Sequence, residues 1–247
     1  MSAKRAKNRL DLLLLERGLV PSRQRARALI MAGKVLVDGE RVEKPGTEFP
    51  LEVVLSVKED LPYVSRGGLK LRAALVGFQI DPAGLTVLDG GASTGGFTDC
   101  LLQHGAARVV AVDVGYGQLD WKLRNDGRVT VLDRTNLRHL EPRSLPFPVK
   151  AAVADLSFIS LTLVLPKLVE IVPRHGWLVP LVKPQFEVGR QDVGKGGVVR
   201  DAKKIRAAVE KVKVFAESIG FLVNGQMDSP IKGPKGNQEV FLHLIRR

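Results

Sequence analysis

Cysteine, aromatic side chains and long apolar runs are all scarce in this chain, and each scarcity excludes something. Cys100 is the one cysteine among 247 residues, so no disulfide can close within the chain and no CxxC pair can hold a metal. A reducing compartment is implied, and the protein is expected to be cytoplasmic. The four histidines (His104, His139, His175 and His243) show no HxH or HxxH spacing, so no metal centre is expected. No apolar stretch approaches the roughly 20 residues of a membrane-spanning helix. The basic start MSAKRAK leads only into Leu12 to Leu15 before charge returns, too short a core for a secretory signal. No membrane partner is expected.

Positive charge, by contrast, is in excess. The net charge is +12 and the pI about 10.0, which favours a polyanionic partner through phosphate neutralisation and counterion release. Residues 1–34 hold nine Lys/Arg against Asp11 and Glu16, a net of +7. With 45% hydrophobic and 26% charged residues, a packed core is expected beside this basic end.

Residues 1–57 are expected to form a small α+β module. Leu10, Leu13, Leu14 and Val20 fall at helical spacing, closed by Gly18. Ser22 is placed to cap a second helix with Ala26, Leu29 and Ile30 inward and Gly33 as its stop. Val35 and Val37 then alternate into Asp38-Gly39, a hairpin signal, and LEVVLSV (51–57) reads as a further strand. Along almost its whole length this stretch resembles the S4 RNA-binding domain, in RLDLLL and GLVPSRQRARALIMAGKVLVDGERVEKPG. The resemblance implies that the helix starting near Ser22 lies against folded RNA. Arg23 and Arg27 share a helix face, Arg25 stands to the side and Lys34 sits at the turn, a cluster suited to phosphates. No aromatic residue is interleaved with them, so recognition by shape rather than base stacking is expected. Residues 58–66 (KEDLPYVSR) read as a linker, ending in a further basic residue, Arg66.

From residue 67 to 247 the pattern alternates strands and helices, the mark of a parallel α/β sheet. TVLDGGASTGGFT is the most informative segment. A buried strand ends at Asp89, and Gly90, Gly91, Gly95 and Gly96 let the backbone turn tightly against a ligand. Two more strands end at Asp113 and Asp133, so three carboxylates point towards one crevice, Asp113 being placed to accept the ribose hydroxyls of an adenosine. The loop is not GxGxxG, although NAD proteins share the first two features.

DGGASTGGFT, VDVGYGQL, LRND, DRTN and ADLSFISL resemble the TlyA group of ribosomal RNA ribose methyltransferases, relatives of the FtsJ methyltransferases often labelled haemolysin A. The resemblance runs from about residue 8 to 245. It implies a Rossmann-like seven-stranded sheet, mostly parallel with an antiparallel last strand. S-adenosyl-L-methionine is the implied cofactor, held by Asp89, Gly91, Ala92, Ser93, Thr94, Gly95, Gly96, Phe97, Asp113, Val114, Asp133 and Asn136. It further implies a catalytic Lys-Asp-Lys-Glu set on Lys70, Asp155, Lys183 and Glu239.

The residues themselves carry part of that reading. Base N-methyltransferases usually place (N/D)PP(Y/F/W) where this chain has Asp155-Leu-Ser-Phe158, which weakens base methylation, although Phe158 could still stack. A ribose 2′-hydroxyl is a weak acid that must lose its proton as it attacks. Lys183, projecting from the end of an apolar strand, is a candidate base if apolar or positive neighbours lower its pKa from about 10.4. Asp155 and Glu239 would hold the geometry and Lys70 would steady the oxyanion. On alternation alone, Glu239 is equally the polar first residue of a closing strand. The glycine-rich stretch 186–204 reads as a mobile loop whose Arg190, Lys195 and Arg200 close over RNA.

The partner that the resemblance implies is ribosomal RNA within ribosomal subunits, methylated at a cytidine of 23S rRNA, with 16S rRNA as a second target in some members, and a monomer is expected. Longer relatives carry a further C-terminal helix, and a chain stopping at Arg247 leans towards the large subunit, while the basic segment before Leu10 resembles the longer type. A membrane-active haemolysin and a non-catalytic RNA-binding assembly factor are the competing classes. The complete catalytic set weighs against the second.

Overall fold

The computed structural model describes residues 6–57 and 62–247. The chain divides into two compact units, Met1–Asp60 and Leu61–Arg247. In the first, β1 (Lys7–Arg9) leads into α1 (Leu10–Glu16) and α2 (Arg23–Met31). Leu10 and Leu14 bury against Ala26, Leu29 and Ile30, the helical-period faces read from the sequence. Ser22 Oγ accepts the Arg25 N–H at 3.2 Å and caps α2. β2 (Val35–Val37) and β3 (Glu40–Arg41) form the expected hairpin, with Asp38 and Gly39 at φ 51° and 88° as its tight turn requires.

The strand expected over 51–57 is shorter. Glu48–Pro50 (β4) pairs with β1, and only Leu55–Val57 (β5) pairs with β2. Asp38 is the reason: its N–H donates to Val54 O and its carboxylate accepts the Val54 N–H, both at 2.8 Å. That staple takes both backbone groups of Val54 and leaves its side chain exposed.

Part of the expected linker, residues 58–61, lies outside the described residues. Its remainder belongs to the second unit. Tyr63 is buried in that unit's core, the Val64 N–H donates to Asp99 at 2.8 Å, and Ser65 caps α3 (Arg66–Gly77). Gly68 permits this, because a Cβ there would lie 2.2 Å from the Tyr63 ring.

Thereafter β6 (Thr86–Gly90), α4 (Gly96–Gln103), β7 (Arg108–Val112), α5 (Trp121–Arg124) and β8 (Val129–Leu132) build one half of a sheet. β9 (Ala151–Ala154), α6 (Leu165–Ile171), β10 (Trp177–Val182), α7 (Pro184–Glu187), α8 (Ala202–Ser218), β11 (Phe221–Asp228) and β12 (Val240–Arg246) complete it. The order is β8-β7-β6-β9-β10-β12-β11, parallel from β8 to β10, with β12 antiparallel to both neighbours. This is the mostly parallel sheet with an antiparallel last strand that the family resemblance implies. Its central strands are continuously apolar because both faces are covered. Val87, Val109 and Val153 pack with Leu71, Leu75 and Leu101 of α3 and α4, whereas Leu88, Val110 and Ala152 pack with Leu168 and Val212 of α6 and α8. At β6 and β9 the strand order reverses, which opens a crevice outside their carboxyl ends.

The mobile loop expected over 186–204 is instead largely structured. It contains the end of α7, a 3-10 turn at Arg190–Asp192, a bridge between Gly194 and Val198, and the first turn of α8. Buried Asn237 pins it: its Oδ1 accepts the Val199 N–H at 2.9 Å and its Nδ2 donates to Gly197 O at 2.8 Å. Each polar atom of that amide is matched, so the segment is held from across the chain.

Candidate active site

Three adjoining cavities open along the crevice, and Asp155 lines all of them. The first, about 210 Å³, lies among Ser65, Arg66, Lys70, Gly91 to Thr94, Gly96, Phe97 and Lys232. The second, about 500 Å³, is walled by Asp113, Val114, Gln118, Asn136 and the apolar Val112, Leu137, Ile159 and Val164. The third, about 480 Å³, is bounded by Lys70, Ser157, Phe158, Lys183, Phe186, Lys235 and Glu239.

The first two meet at the glycine loop. Gly91, Ser93 and Gly95 all have positive φ, and a Cβ on Gly91 would lie 2.6 Å from Asp155 O. A Cβ on Gly96 would meet Ser65 Oγ at 2.2 Å, so α3 and α4 start in backbone contact. Asp113 organises the loop: its Oδ2 accepts the Ser93 N–H at 2.8 Å and its Oδ1 the Gly115 N–H at 2.7 Å. Each oxygen keeps a lone pair for a ligand hydroxyl. Asn136 and Val114 reach the second cavity as anticipated.

Two of the expected cofactor carboxylates do not reach it. Asp89 is fully buried beneath the loop, where its Oδ2 accepts the Thr98 hydroxyl at 2.7 Å and its Oδ1 has no partner. Asp133 turns away to Arg124, with Nη2 at 2.8 Å from Oδ2, and this ion pair holds its carboxyl below the usual range. Thr135 and Gln118 line the cavity in its place. Strand ends alone place the backbone of such residues, and the side-chain partner decides where the carboxylate points.

Burial pushes the Asp89 carboxyl up from 3.8 to about 7. Between those two pH values the folded chain keeps a proton that the unfolded chain has lost. Stability therefore falls as pH rises through this window, and the cost, on the order of 4 kcal/mol at most, is complete above pH 7. Asp89→Asn removes the titration while keeping an acceptor for Thr98. The variant is expected to gain melting temperature relative to the unsubstituted chain at pH 8, and to gain much less at pH 5. Equal differences at the two pH values would show that Asp89 does not carry this cost.

Lys70, Asp155, Lys183 and Glu239 converge on the third cavity from four separate segments. Lys70 on α3 and Glu239, just before β12, form a buried ion pair, Nζ to Oε2 at 2.5 Å. Glu239 is 1% exposed, and Gly233 lets the preceding loop close on it, since a Cβ there would sit 2.5 Å from Oε1. Glu239 is thus a buried partner rather than a polar strand end. Lys183, at the end of β10, places Nζ 2.7 Å from Asp155 Oδ1 and 2.8 Å from Ser157 Oγ. Its charged neighbour is therefore a carboxylate. Asp155 Oδ1 is itself buried against Lys183 Nζ.

The expected RNA-contacting residues divide. Arg66 heads α3 and lines the first cavity. Arg190 and Lys195 are exposed but line none of the three cavities, whereas Lys232 and Lys235 of the turn before Glu239 do. In the sequence these two lysines stand in the basic Gly/Pro run IKGPKGNQ (231–238), which leads into Glu239. In the first unit, Arg27 is exposed on α2 and Lys34 follows the helix end. Arg25 lies beside Ser22 at the capped first turn. Arg23 is tethered, Nε to Asp11 Oδ2 at 3.0 Å, and the buried Asp11, bonded also to Arg9, is held down at about 2. Among the described residues, no three His, Cys, Asp or Glu side chains are grouped to hold a metal, and no helix is long and apolar enough to cross a membrane.

The chain has known relatives. Residues 63–246 match the FtsJ-like methyltransferase family and residues 8–54 the S4 domain. The chain is 52% identical to the 16S/23S rRNA (cytidine-2′-O)-methyltransferase TlyA of Mycobacterium tuberculosis, over 96% of this chain and 89% of that one. It belongs to the TlyA group of FtsJ-like methyltransferases. A solved Streptococcus thermophilus protein bearing the hemolysin label superposes with a TM-score of 0.76 at 45% identity, covering 98% of this chain and 90% of that one. A solved Listeria monocytogenes protein described as an S-adenosylmethionine-dependent methyltransferase, 15% identical, shares the fold alone, with a TM-score of 0.53 over 72% of this chain and all of that one. For this family the hemolysin name is a historical label.

Proposed function

We propose that this enzyme transfers a methyl group from S-adenosylmethionine to the ribose 2′-hydroxyl of a cytidine in ribosomal RNA, in 23S rRNA and, by likeness to the M. tuberculosis protein, in 16S rRNA. The observation that carries this reading is the meeting of both ion pairs, Lys70–Glu239 and Lys183–Asp155, at one cavity adjoining the glycine loop.

The residues present fit the cofactor. Arg66 and Lys232 supply cations for a carboxylate in the smaller cavity, Asp113 has lone pairs for ribose hydroxyls, and Leu137, Ile159 and Val164 offer an apolar wall for adenine. When bound, S-adenosylmethionine supplies an electrophilic methyl group on a sulfonium. Asp155, which lines the cavity beside Lys183, accepts the hydroxyl's hydrogen bond and orients its oxygen. Lys183, in its amine form, takes the proton as the oxygen attacks, and the adjacent carboxylate stabilises the ammonium that results. Lys70, held by Glu239, presents positive charge to the oxygen while its bond to hydrogen weakens. Lys232 and Lys235 stand at the rim, where backbone phosphates pass. The S4 unit supplies sequence-independent affinity for folded RNA.

Radiolabelled methyl transfer to 30S, 50S and 70S particles from cells lacking the enzyme tests this. Alkali cannot cleave beside a 2′-O-methyl group, so label is expected in alkali-resistant dinucleotides. Label in mononucleotides would mean base methylation, and no label would favour the non-catalytic RNA-binding reading.

A further inference from the structure

Glu187 is a buried carboxylate that takes no part in the reaction above, yet it joins the two segments that carry it. Its side chain is 1% exposed at the end of α7, the single turn that begins directly after Lys183. Its Oε2 accepts the Ser160 hydroxyl at 2.5 Å and its Oε1 accepts the Leu161 N–H at 2.7 Å. Ser160 and Leu161 close the short loop that starts at Asp155 and contains Ser157 and Phe158. That loop is conformationally demanding, since Phe158 sits at φ 65° with its side chain 91% exposed against Phe186. A non-glycine residue in the left-handed region persists only where its surroundings over-determine it. Lys211 of α8 braces the clamp from behind, donating to Glu187 O at 2.9 Å with its Nζ 3.7 Å from Oε2.

We propose that Glu187 is a positioning residue that locks the Asp155–Leu161 loop to the Lys183 helix and so sets the spacing of Asp155, Ser157 and Lys183 around the acceptor hydroxyl. The two segments touch at only two polar places: the Lys183 contacts with Asp155 and Ser157 at the cavity, and the Glu187 contacts at the far end. With the second place lost, the first must hold the register alone. Burial pushes the Glu187 carboxyl up. The role rests on the methyl-transfer reading, and wild-type activity tests that reading separately.

Single-turnover methyl transfer and S-adenosylmethionine binding by calorimetry are measured for Glu187→Ala, Glu187→Gln and Ser160→Ala. Glu187→Ala is expected to lower the single-turnover rate by about tenfold or more, with cofactor Kd unchanged within twofold, because misplacing reacting groups by a fraction of an ångström slows chemistry. Glu187→Gln can accept from Leu161 and donate to Ser160 Oγ, so it is expected to recover most of the rate. Ser160→Ala, which removes one of the two bonds, is expected to lie between them and covers the case in which Glu187→Ala does not fold. A rate for Ser160→Ala or folded Glu187→Ala within twofold of the unsubstituted enzyme overturns the proposal. So does a Glu187→Gln variant as slow as Glu187→Ala, which would mean that charge and not geometry is required. If the unsubstituted chain transfers no methyl group, the functional reading fails instead.

Discussion

Lys183→Ala is expected to lower methyl transfer by about a hundredfold to ten-thousandfold while S-adenosylmethionine binds as before. The range is that of a lost general acid or base, because the amine that takes the hydroxyl proton is gone. Cofactor binding survives since Lys183 lines only the acceptor cavity, whereas Asp155 lines all three. Folding also survives: Asp155, with its side chain 23% exposed, can be solvated once its partner is removed. Single-turnover kinetics on ribosomal subunits, paired with calorimetry, separate these effects. Turnover within threefold of the unsubstituted enzyme would remove Lys183 from the chemistry. Asp155→Ala gives the contrast, with both the rate and the cofactor affinity expected to fall.

Glu239→Ala is expected to cost stability as well as activity. Lys70 and Glu239 have side chains only 9% and 1% exposed, so removing the carboxylate strands an ammonium away from water. Breaking such a pair typically costs about 3–5 kcal/mol. In a unit of this size that corresponds to a melting temperature lower by roughly 6–20 °C. Replacing both members with apolar groups of similar volume, Lys70→Met with Glu239→Leu, is expected to restore most of the stability and none of the activity, because no unpaired charge remains. Calorimetric melting of the three proteins decides the point. A Glu239→Ala variant that melts within about 2 °C of the unsubstituted chain would show that the pair is not desolvated as its burial indicates.

The two predictions reflect different duties for the two ion pairs. In Lys183–Asp155 the carboxylate side chain is 23% exposed and borders all three cavities, which suits a pair that must exchange a proton. Lys70–Glu239, with side chains 9% and 1% exposed, is packed among α3, β12 and the Gly233 turn while still bordering the third cavity, which suits fixed charge. The two lysines are similarly buried, but Glu239 is 1% and Asp155 23% exposed, so the second pair is the costlier to break and the effects on stability and rate separate.

The sequence by itself determined the α/β class, the strands that end at Asp89, Asp113 and Asp133, and the glycine loop directly after the first of them. Those follow from local patterning, since apolar period, turn residues and caps act over a few neighbours. The catalytic set was legible only through likeness to a family. Patterning left Glu239 as a polar strand end and Lys183 as a cation of undefined surroundings. Tertiary structure alone decided where carboxylates point. Asp89 turns inward because Thr98 donates to it, Asp133 turns away because Arg124 draws it, and Glu187 reaches Ser160 twenty-seven positions earlier. It also decided that the glycine-rich stretch after Lys183 is pinned, through Asn237, forty positions on from Gly197. A strand end sets a side chain's address to within a turn of backbone, but its direction depends on partners far along the chain, which periodicity does not encode.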